Sequence, residues 1–310
     1  MSHVSYAEPP AQGWDIHCHT VFSDGTETPR TLVEQARRLG LHGVAIADHD
    51  TTAGWDEAFC RIYKWDEATE ASEEIDLPLL LGTEITAVDE DVSVHMLAFQ
   101  YDPSNEHISS MFANTRAARL RRTKRMVERL SQDFPITWDD VLAQVKEGER
   151  TTIGRPHIAD ALVAAGVYET RSDAFADAVS AKSKYYIPTP SPSTHEVIAA
   201  VKGAGGVVVA AHAGDPQRNR RLLSDEQLDA MIADGLDGLE VWHRGNPPEQ
   251  RERLLTIAAR QDLLVTGGSD WHGKGKPNGL GENLTDDDTV REILHRGVDL
   301  SDHVGSSHAA

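Results

Sequence analysis

The sequence predicts an α/β fold: a distorted (β/α)7 barrel of the TIM type with a small inserted helical cap domain. Short runs rich in Val, Ile and Leu alternate with amphipathic helical stretches, the pattern of repeated β-α units. Polar residues able to bind metal recur where those apolar runs end, which is where a barrel keeps its chemistry. The alternation is interrupted once, between Asp102 and about Pro190, by helical material with turn signals.

In chain order, a first strand is expected in GWDIHCH (13–19), then the helix PRTLVEQARRLGL (29–41) and the strand GVAIADHD (43–50). Two further strands follow, LPLLLGTEIT (77–86) and SVHMLAFQYD (93–102). The alternation resumes late in the chain. THEVIAAVKGAG leads to GVVVAAH, DEQLDAMIADG to DGLEVWH, and PEQRERLLTIAARQ to LLVTGGSDWH, each a helix feeding a strand. That makes about seven strands. The barrel is expected to comprise residues 1–102 and 191–310, with the cap at 103–190 and re-entry through the proline-punctuated IPTPSPS (187–193).

The 310 residues carry a formal charge of −20, from 50 acidic and 30 basic side chains. Such a balance argues against broad binding to nucleic acid or anionic membranes. A polyanionic substrate must therefore meet local positive charge. One helix, RAARLRRTKRMVERL (116–130), supplies seven basic residues against the single acid Glu128; such a run is either a solvated face or a substrate contact. The two cysteines, Cys18 and Cys60, form no CxxC pair, so neither a disulfide framework nor a thiolate zinc site is indicated. No stretch approaches the roughly 18 apolar residues of a membrane span. A cytoplasmic protein without membrane association or an obligate protein partner is expected.

The ligand pattern is more specific. Residues i and i+2 of a strand share a face, so His17 and His19 should converge while Cys18 points away. Asp270 and His272 repeat this spacing around Trp271. Asp48, His49, Glu84, His95, His212 and His243 also close or follow predicted strands. Buried carboxylates are costly unless paired or metal-bound, so the clustering points to a metal centre. Nitrogen and oxygen donors without sulfur suit Zn²⁺, Mn²⁺ or Fe²⁺.

The motifs HCHTVFSDG, IADHD, GTEIT, the histidine of VHML, AHAG and GSDWH, in that order, resemble the PHP (polymerase and histidinol phosphatase) metallohydrolases. The GRPHIA stretch at 154–159 resembles the branch acting on nucleoside 3′,5′-bisphosphates and short RNA 5′ ends. This resemblance implies the PHP fold and two or three divalent ions. It assigns His17, His19, Glu84 and Asp270 to one metal, Glu84, His95 and His212 to a second, and Asp24, His49 and His272 to a third. The family often has proline after the histidine that here is His212; this chain has Ala213.

Glu84, Asp270, Arg155 and His243 are the expected catalytic residues, with Arg155, His157 and Arg244 binding substrate. Arg155 would clamp a second phosphate through its guanidinium. Glu240 is a candidate to orient His243 or Arg244, and Asp48 or Asp50 to support a ligand imidazole. Trp55, Trp138 and Trp242 suit core packing better than base stacking. The implied activity is hydrolysis of small nucleotide phosphate monoesters, foremost the 3′-phosphate of 3′-phosphoadenosine 5′-phosphate to give AMP. Trimming of short RNA from its 5′ end, histidinol-phosphate hydrolysis and a non-catalytic PHP module are the alternatives.

Overall fold

The computed structural model describes residues 8–59, 62–66, 71–75, 77–218 and 221–300, of which 58, 59, 62–66 and 71–75 are described by their backbone alone. Cys60 lies outside the described residues.

In chain order the elements are β1 (Trp14–Asp15), α1 (Pro29–Leu39), β2 (Gly43–Ile46), α2 (Trp55–Phe59), a hairpin of β3 (Ile62–Asp66) and β4 (Ala71–Ile75), β5 (Leu79–Asp89) and β6 (Val92–Phe99). Helices α3 (Glu106–Leu130), α4 (Trp138–Leu142), α5 (Arg155–Ala164) and α6 (Arg171–Ala176) come next. The chain then runs through α7 (Thr194–Gly203), β7 (Val207–Ala210), α8 (Asp225–Asp234), β8 (Gly238–Trp242), α9 (Pro248–Gln261), β9 (Leu264–Gly267) and α10 (Asp287–Arg296).

Seven strands form one sheet in the order β1-β2-β5-β6-β7-β8-β9. It is nearly closed: Cys18 bridges in parallel to Trp271 just beyond its two edge strands. The sheet departs from an all-parallel barrel at β6, which pairs antiparallel with both β5 and β7. The cause is local. Only Glu90 and Asp91 separate β5 from β6, Glu90 adopts φ 51°, and a two-residue turn can only return the chain antiparallel.

Helix boundaries follow capping rules. Thr28 accepts from the backbone N–H of Thr31 ahead of Pro29, and Gly40 ends α1 at φ 73°. Ser193 and Ser224 make capping boxes with Glu196 and Gln227 at the starts of α7 and α8.

Strand alternation divides the apolar residues. Ala45, Leu80, Leu97, Val209 and Leu264 belong to one core; Val44, Leu81, Ala98, Val208 and Val265 belong to another that includes residues of α1, α7, α8 and α9. His49, Glu84 and His95 sit two or four residues along from Ala45, Leu80 and Leu97, on the same strand faces. These side chains therefore continue a core face towards the barrel mouth. Residues of α3 to α6 build a separate apolar cluster that includes Met126, Val127, Leu130, Ile158, Leu162 and Ala174. Trp55 and Trp242 pack in the barrel core, while Trp138 borders the helical cluster. No helix among the described residues is long and apolar enough to cross a membrane.

Candidate metal centre

Glu84 is the hub of the site. Its Oε1 lies 2.7 Å from His95 Nδ1, 3.1 Å from His212 Nε2 and 3.4 Å from His17 Nε2. Its Oε2 lies 3.1 Å from His19 Nε2 and 3.2 Å from His49 Nδ1. Asp270 Oδ1 faces His19 Nε2 at 3.4 Å and His17 Nε2 at 3.6 Å. Asp24 faces His272 Nε2 at 3.1 Å.

Three groups of donor atoms are close enough to share an ion: His17, His19, Glu84 and Asp270; His19, Asp24, His49 and His272; and His49, Glu84 and His95. The first matches the set implied by resemblance. Of the other two, one joins His19 to Asp24, His49 and His272, and one sets His49 with Glu84 and His95; His212, implied beside Glu84 and His95, faces the same Glu84 oxygen as His95, and its ring lies as near to His95 as that of His49, 5.3 Å in each case. His212 reaches the centre through Glu84.

Two of the candidate ligands depend on unusual backbone. His212 and Asp270 have φ of 32° and 53°, a region that side chains with a Cβ seldom occupy. Strand alternation alone would turn His212 away from the face that carries Val207 and Val209; the turn at His212 redirects it. Likewise β9 ends at Gly267, so Asp270 and His272 converge through this turn rather than through strand geometry. Trp271 packs with Cys18 in the opposite core, as the alternation suggested.

The electrostatics separate two classes of carboxylate. Burial would raise Glu84, but His95, His49 and His17 hold it well below the usual carboxylate range. Asp24 is likewise held low against burial by His272 and His49, and Asp270 by Lys276 and His272. Asp15, Asp48 and Asp50 are instead raised, chiefly by burial. The carboxylates facing the imidazoles are thus the more acidic class. Burial lowers His49, His212 and His272, the last to about 4, whereas the neighbouring carboxylates overcome burial to raise His19 to about 9.

The donor set fits divalent metal. Nε2 of His17, His19 and His272 and Nδ1 of His49 are buried without a hydrogen-bond partner, although each lies within 4 Å of a carboxylate oxygen. Buried polar atoms are normally satisfied, and imidazole lone pairs converging on carboxylates are what a bound cation satisfies.

Glu240 is the main orienting group, and it serves a different residue from those expected. Its Oε1 lies 2.8 Å from His17 Nδ1, and its Oε2 accepts the backbone N–H of His212 at 2.8 Å. The first contact frees His17 Nε2 for the centre. Asp48 accepts from the hydroxyls of Thr20 and Ser23, both at 2.5 Å, and so fixes the loop that carries Asp24. Asp50 pairs with Arg119 Nε at 2.9 Å. Neither aspartate touches an imidazole in these hydrogen bonds.

A cavity of about 650 Å³ borders this centre, with Asp24, His49 and His95 in its wall. Arg119, Arg122, Arg155, Arg171, Arg218 and Lys276 also line it, against the carboxylates Asp24, Asp91 and Asp215. Arg155 is therefore at the cavity, where it donates to the Val179 carbonyl at 3.2 Å. His157 borders a smaller neighbouring pocket, and its Nδ1 accepts the Gly154 N–H at 3.2 Å, closing the start of α5. Arg244 is drawn away to Asn278 at 3.2 Å and Glu282 at 3.5 Å, and it does not line the cavity. His243 is buried, accepts the Gly245 N–H at Nδ1, and points Nε2 at Asp270 Oδ2 from 3.9 Å.

Sequence reasoning missed Arg218 and Lys276, which donate to Asp270 Oδ2 at 2.7 and 2.8 Å. Both follow a ligand motif by six residues, a spacing that carries no strand or helix signal.

Known proteins are similar to this chain. The PHP domain family matches residues 15–174. The chain is similar to the 5′-3′ exoribonuclease Rnm of Salmonella typhimurium, with 31% identity over 84% of this chain and 85% of that protein. It is also similar to the 3′,5′-nucleoside bisphosphate phosphatase of Chromobacterium violaceum, with 26% identity over 84% and 88%. A crystal structure of a Bifidobacterium adolescentis protein assigned as a metal-dependent phosphoesterase superposes with a TM-score of 0.89 and 95% identity, covering 94% of this chain and 99% of that one. With its barrel, its histidine and carboxylate clusters and this family match in agreement, the chain belongs to the PHP domain family of metal-dependent phosphoesterases.

Proposed function

We propose that the enzyme hydrolyses phosphate monoesters of small nucleotides, foremost the 3′-phosphate of nucleoside 3′,5′-bisphosphates such as 3′-phosphoadenosine 5′-phosphate, releasing AMP and inorganic phosphate. The observation that carries this reading is the cavity wall: six cations against three carboxylates beside the ligand clusters, in a chain of net charge −20. Local cations in an acidic protein select an anionic substrate. The similarity to the Chromobacterium violaceum phosphatase supports the substrate class.

In this reading His17, His19, Asp24, His49, Glu84, His95, His212, Asp270 and His272 hold two or three ions of manganese, zinc or iron. Bound there, such ions ionise water and neutralise phosphoryl charge. Glu240 keeps His17 in the ligating tautomer. Arg218 and Lys276, standing on Asp270, supply charge to the phosphate at the centre, and Arg155 takes the second phosphate. The Gly245 N–H at His243 Nδ1 leaves that ring's proton on Nε2, where it is available to the leaving oxygen. Residues 103–190 act as a cap domain, supported by their own apolar cluster and by the arginines they contribute to the cavity. The free, buried thiol of Cys18 suits a reducing cytoplasm.

Trimming of short RNA from its 5′ end is the second reading, favoured by the Salmonella relative. Purified protein with Mn²⁺ should release phosphate from the bisphosphate faster than it shortens oligonucleotides of three or more residues. The opposite ranking would favour the exonuclease, and no release from any phosphoester under any divalent metal would refute both.

A further inference from the structure

The turn that carries Asp24 is held from outside the barrel. Between β1 and α1, the Val21 carbonyl accepts from the Thr151 hydroxyl at 3.0 Å, that of Phe22 from the Thr152 N–H at 2.9 Å, that of Asp24 from Arg171 Nη1 at 2.8 Å, and that of Thr26 from Lys146 Nζ. All of these donors belong to the segment from the end of α4 to the start of α6. A turn has no ladder to satisfy its carbonyls, so the donors that take them decide where it sits.

Arg171 is the most specific of them. A capping box between Thr170 and Asp173 starts α6 around it. Its Nε and Nη2 grip both oxygens of Asp160 on α5, at 2.7 and 2.5 Å, a fork that fixes the guanidinium plane and leaves Nη1 for the Asp24 carbonyl. The same guanidinium lies against Gly275, where a Cβ would fall 2.3 Å from Nη1. Gly275 closes the turn after His272 by donating its N–H to the His272 carbonyl at 3.1 Å, and the Thr26 N–H donates to that carbonyl at 3.1 Å as well. Arg171 therefore touches both turns whose side chains, Asp24 and His272, face each other at 3.1 Å. These two belong to the donor group His19, Asp24, His49 and His272. His17, of the group around Glu84 and Asp270, is instead oriented from within the barrel by Glu240 of β8.

We infer that Arg171 is a positioning residue for the cation site of His19, Asp24, His49 and His272, so that the α4 to α6 segment helps to build one metal position as well as bordering the cavity. The inference rests on the proposed reading for the ions themselves; substrate has no part in its test.

The full chain is dialysed to equilibrium against a series of free Mn²⁺ concentrations, and bound manganese is counted per chain. The wild type should bind one ion for each of the three donor groups. Arg171→Met, which keeps much of the side-chain length and removes both anchors, should bind the weakest of them about 10- to 100-fold less tightly, the loss expected when a group that orients ligands is removed. Arg171→Lys keeps a donor for the Asp24 carbonyl without the fork and should recover part of that affinity. Asp24→Asn should lose the same ion, and the combined Arg171→Met and Asp24→Asn variant should bind no less than Asp24→Asn alone, since a residue acting through Asp24 has no further effect once the carboxylate is gone.

Wild-type manganese binding in a folded Arg171→Met overturns the inference. So does a wild type that saturates at two ions, or a combined variant that loses a further ion, because general loosening of the site would then be the cause. Should Arg171→Met fail to fold, Gly275→Ala takes its place: its methyl displaces the guanidinium while leaving the charge, and it should weaken the same ion, with unchanged binding equally decisive against the role. A wild type that binds no divalent ion refutes the metal reading and this inference together, whereas metal binding that depends on Arg171 in a protein that hydrolyses no phosphoester retains the inference and refutes the proposed activity.

Discussion

The two sides of the cavity are unsatisfied in opposite senses. At the barrel mouth, ionised carboxylates and buried imidazoles converge, and among the described residues five ring nitrogens, those of His17, His19, His49, His243 and His272, are unpartnered, although Arg218 and Lys276 reach Asp270 there; this side suits divalent cations. On the α3 and α5 wall, Arg122 and Arg155 stand without carboxylates; this side lacks an anion. A metal-bound phosphate ester satisfies both. Neither side is optimised for the stability of the empty protein, which is common where function sets the side chains.

The most severe way to break the mouth is Glu84→Ala. It removes the one group that faces His17, His19, His49, His95 and His212 together, and should reduce bound metal and bring phosphate release to background. Next is Glu240→Gln, which leaves every ligand in place but alters the contact at His17 Nδ1. Metal affinity should weaken by about 10- to 100-fold, as for other groups that orient ligand imidazoles, measured by competition with a fluorescent chelator; unchanged affinity would remove Glu240 from the account.

On the opposite wall, Asp50→Ala strips Arg119 of its partner. Because Asp50 is fully buried and Arg119 nearly so, the cost should be about 3 kcal/mol in chemical denaturation, and the number of uncompensated cations rises. The smallest effect is expected at Arg244, which is bound to Asn278 and Glu282 outside the cavity. Arg244→Ala should change kcat/KM by about twofold at most, the scale of an exposed ion pair; a tenfold loss would show that Arg244 swings in to substrate.

Most of the barrel side was legible in the sequence, because strand period and ligand position report the same geometry. His17 and His19 announce a shared face by spacing alone, and His49, Glu84 and His95 continue the inward faces of apolar strands. The grouping of ligands was less legible. That His49 and His212 both stand beside His95, each ring 5.3 Å from it, depends on how the strands meet across the barrel and on a left-handed residue at His212 that no pattern announced. Glu240 looked like an aid to its neighbours in sequence because its real partner, His17, lies 223 residues away.

The cap side was harder to read. Seven basic residues on one helix suggest a face without saying which members turn inward, since the helix phase is set by packing of Met126, Val127 and Leu130 in the second core. Arg119 and Arg122, three residues apart and hence neighbours on a helix, are the pair that reach the cavity. Arg218 and Lys276 were invisible for a related reason: surface loops position them, and loop geometry has no period.

Elemental analysis of the purified chain beside Glu84→Ala tests the account most directly. The wild type should carry two or three divalent transition-metal ions per chain, and the folded variant fewer than one. Equal metal content in the two proteins, or a folded and active wild type without metal, would contradict it.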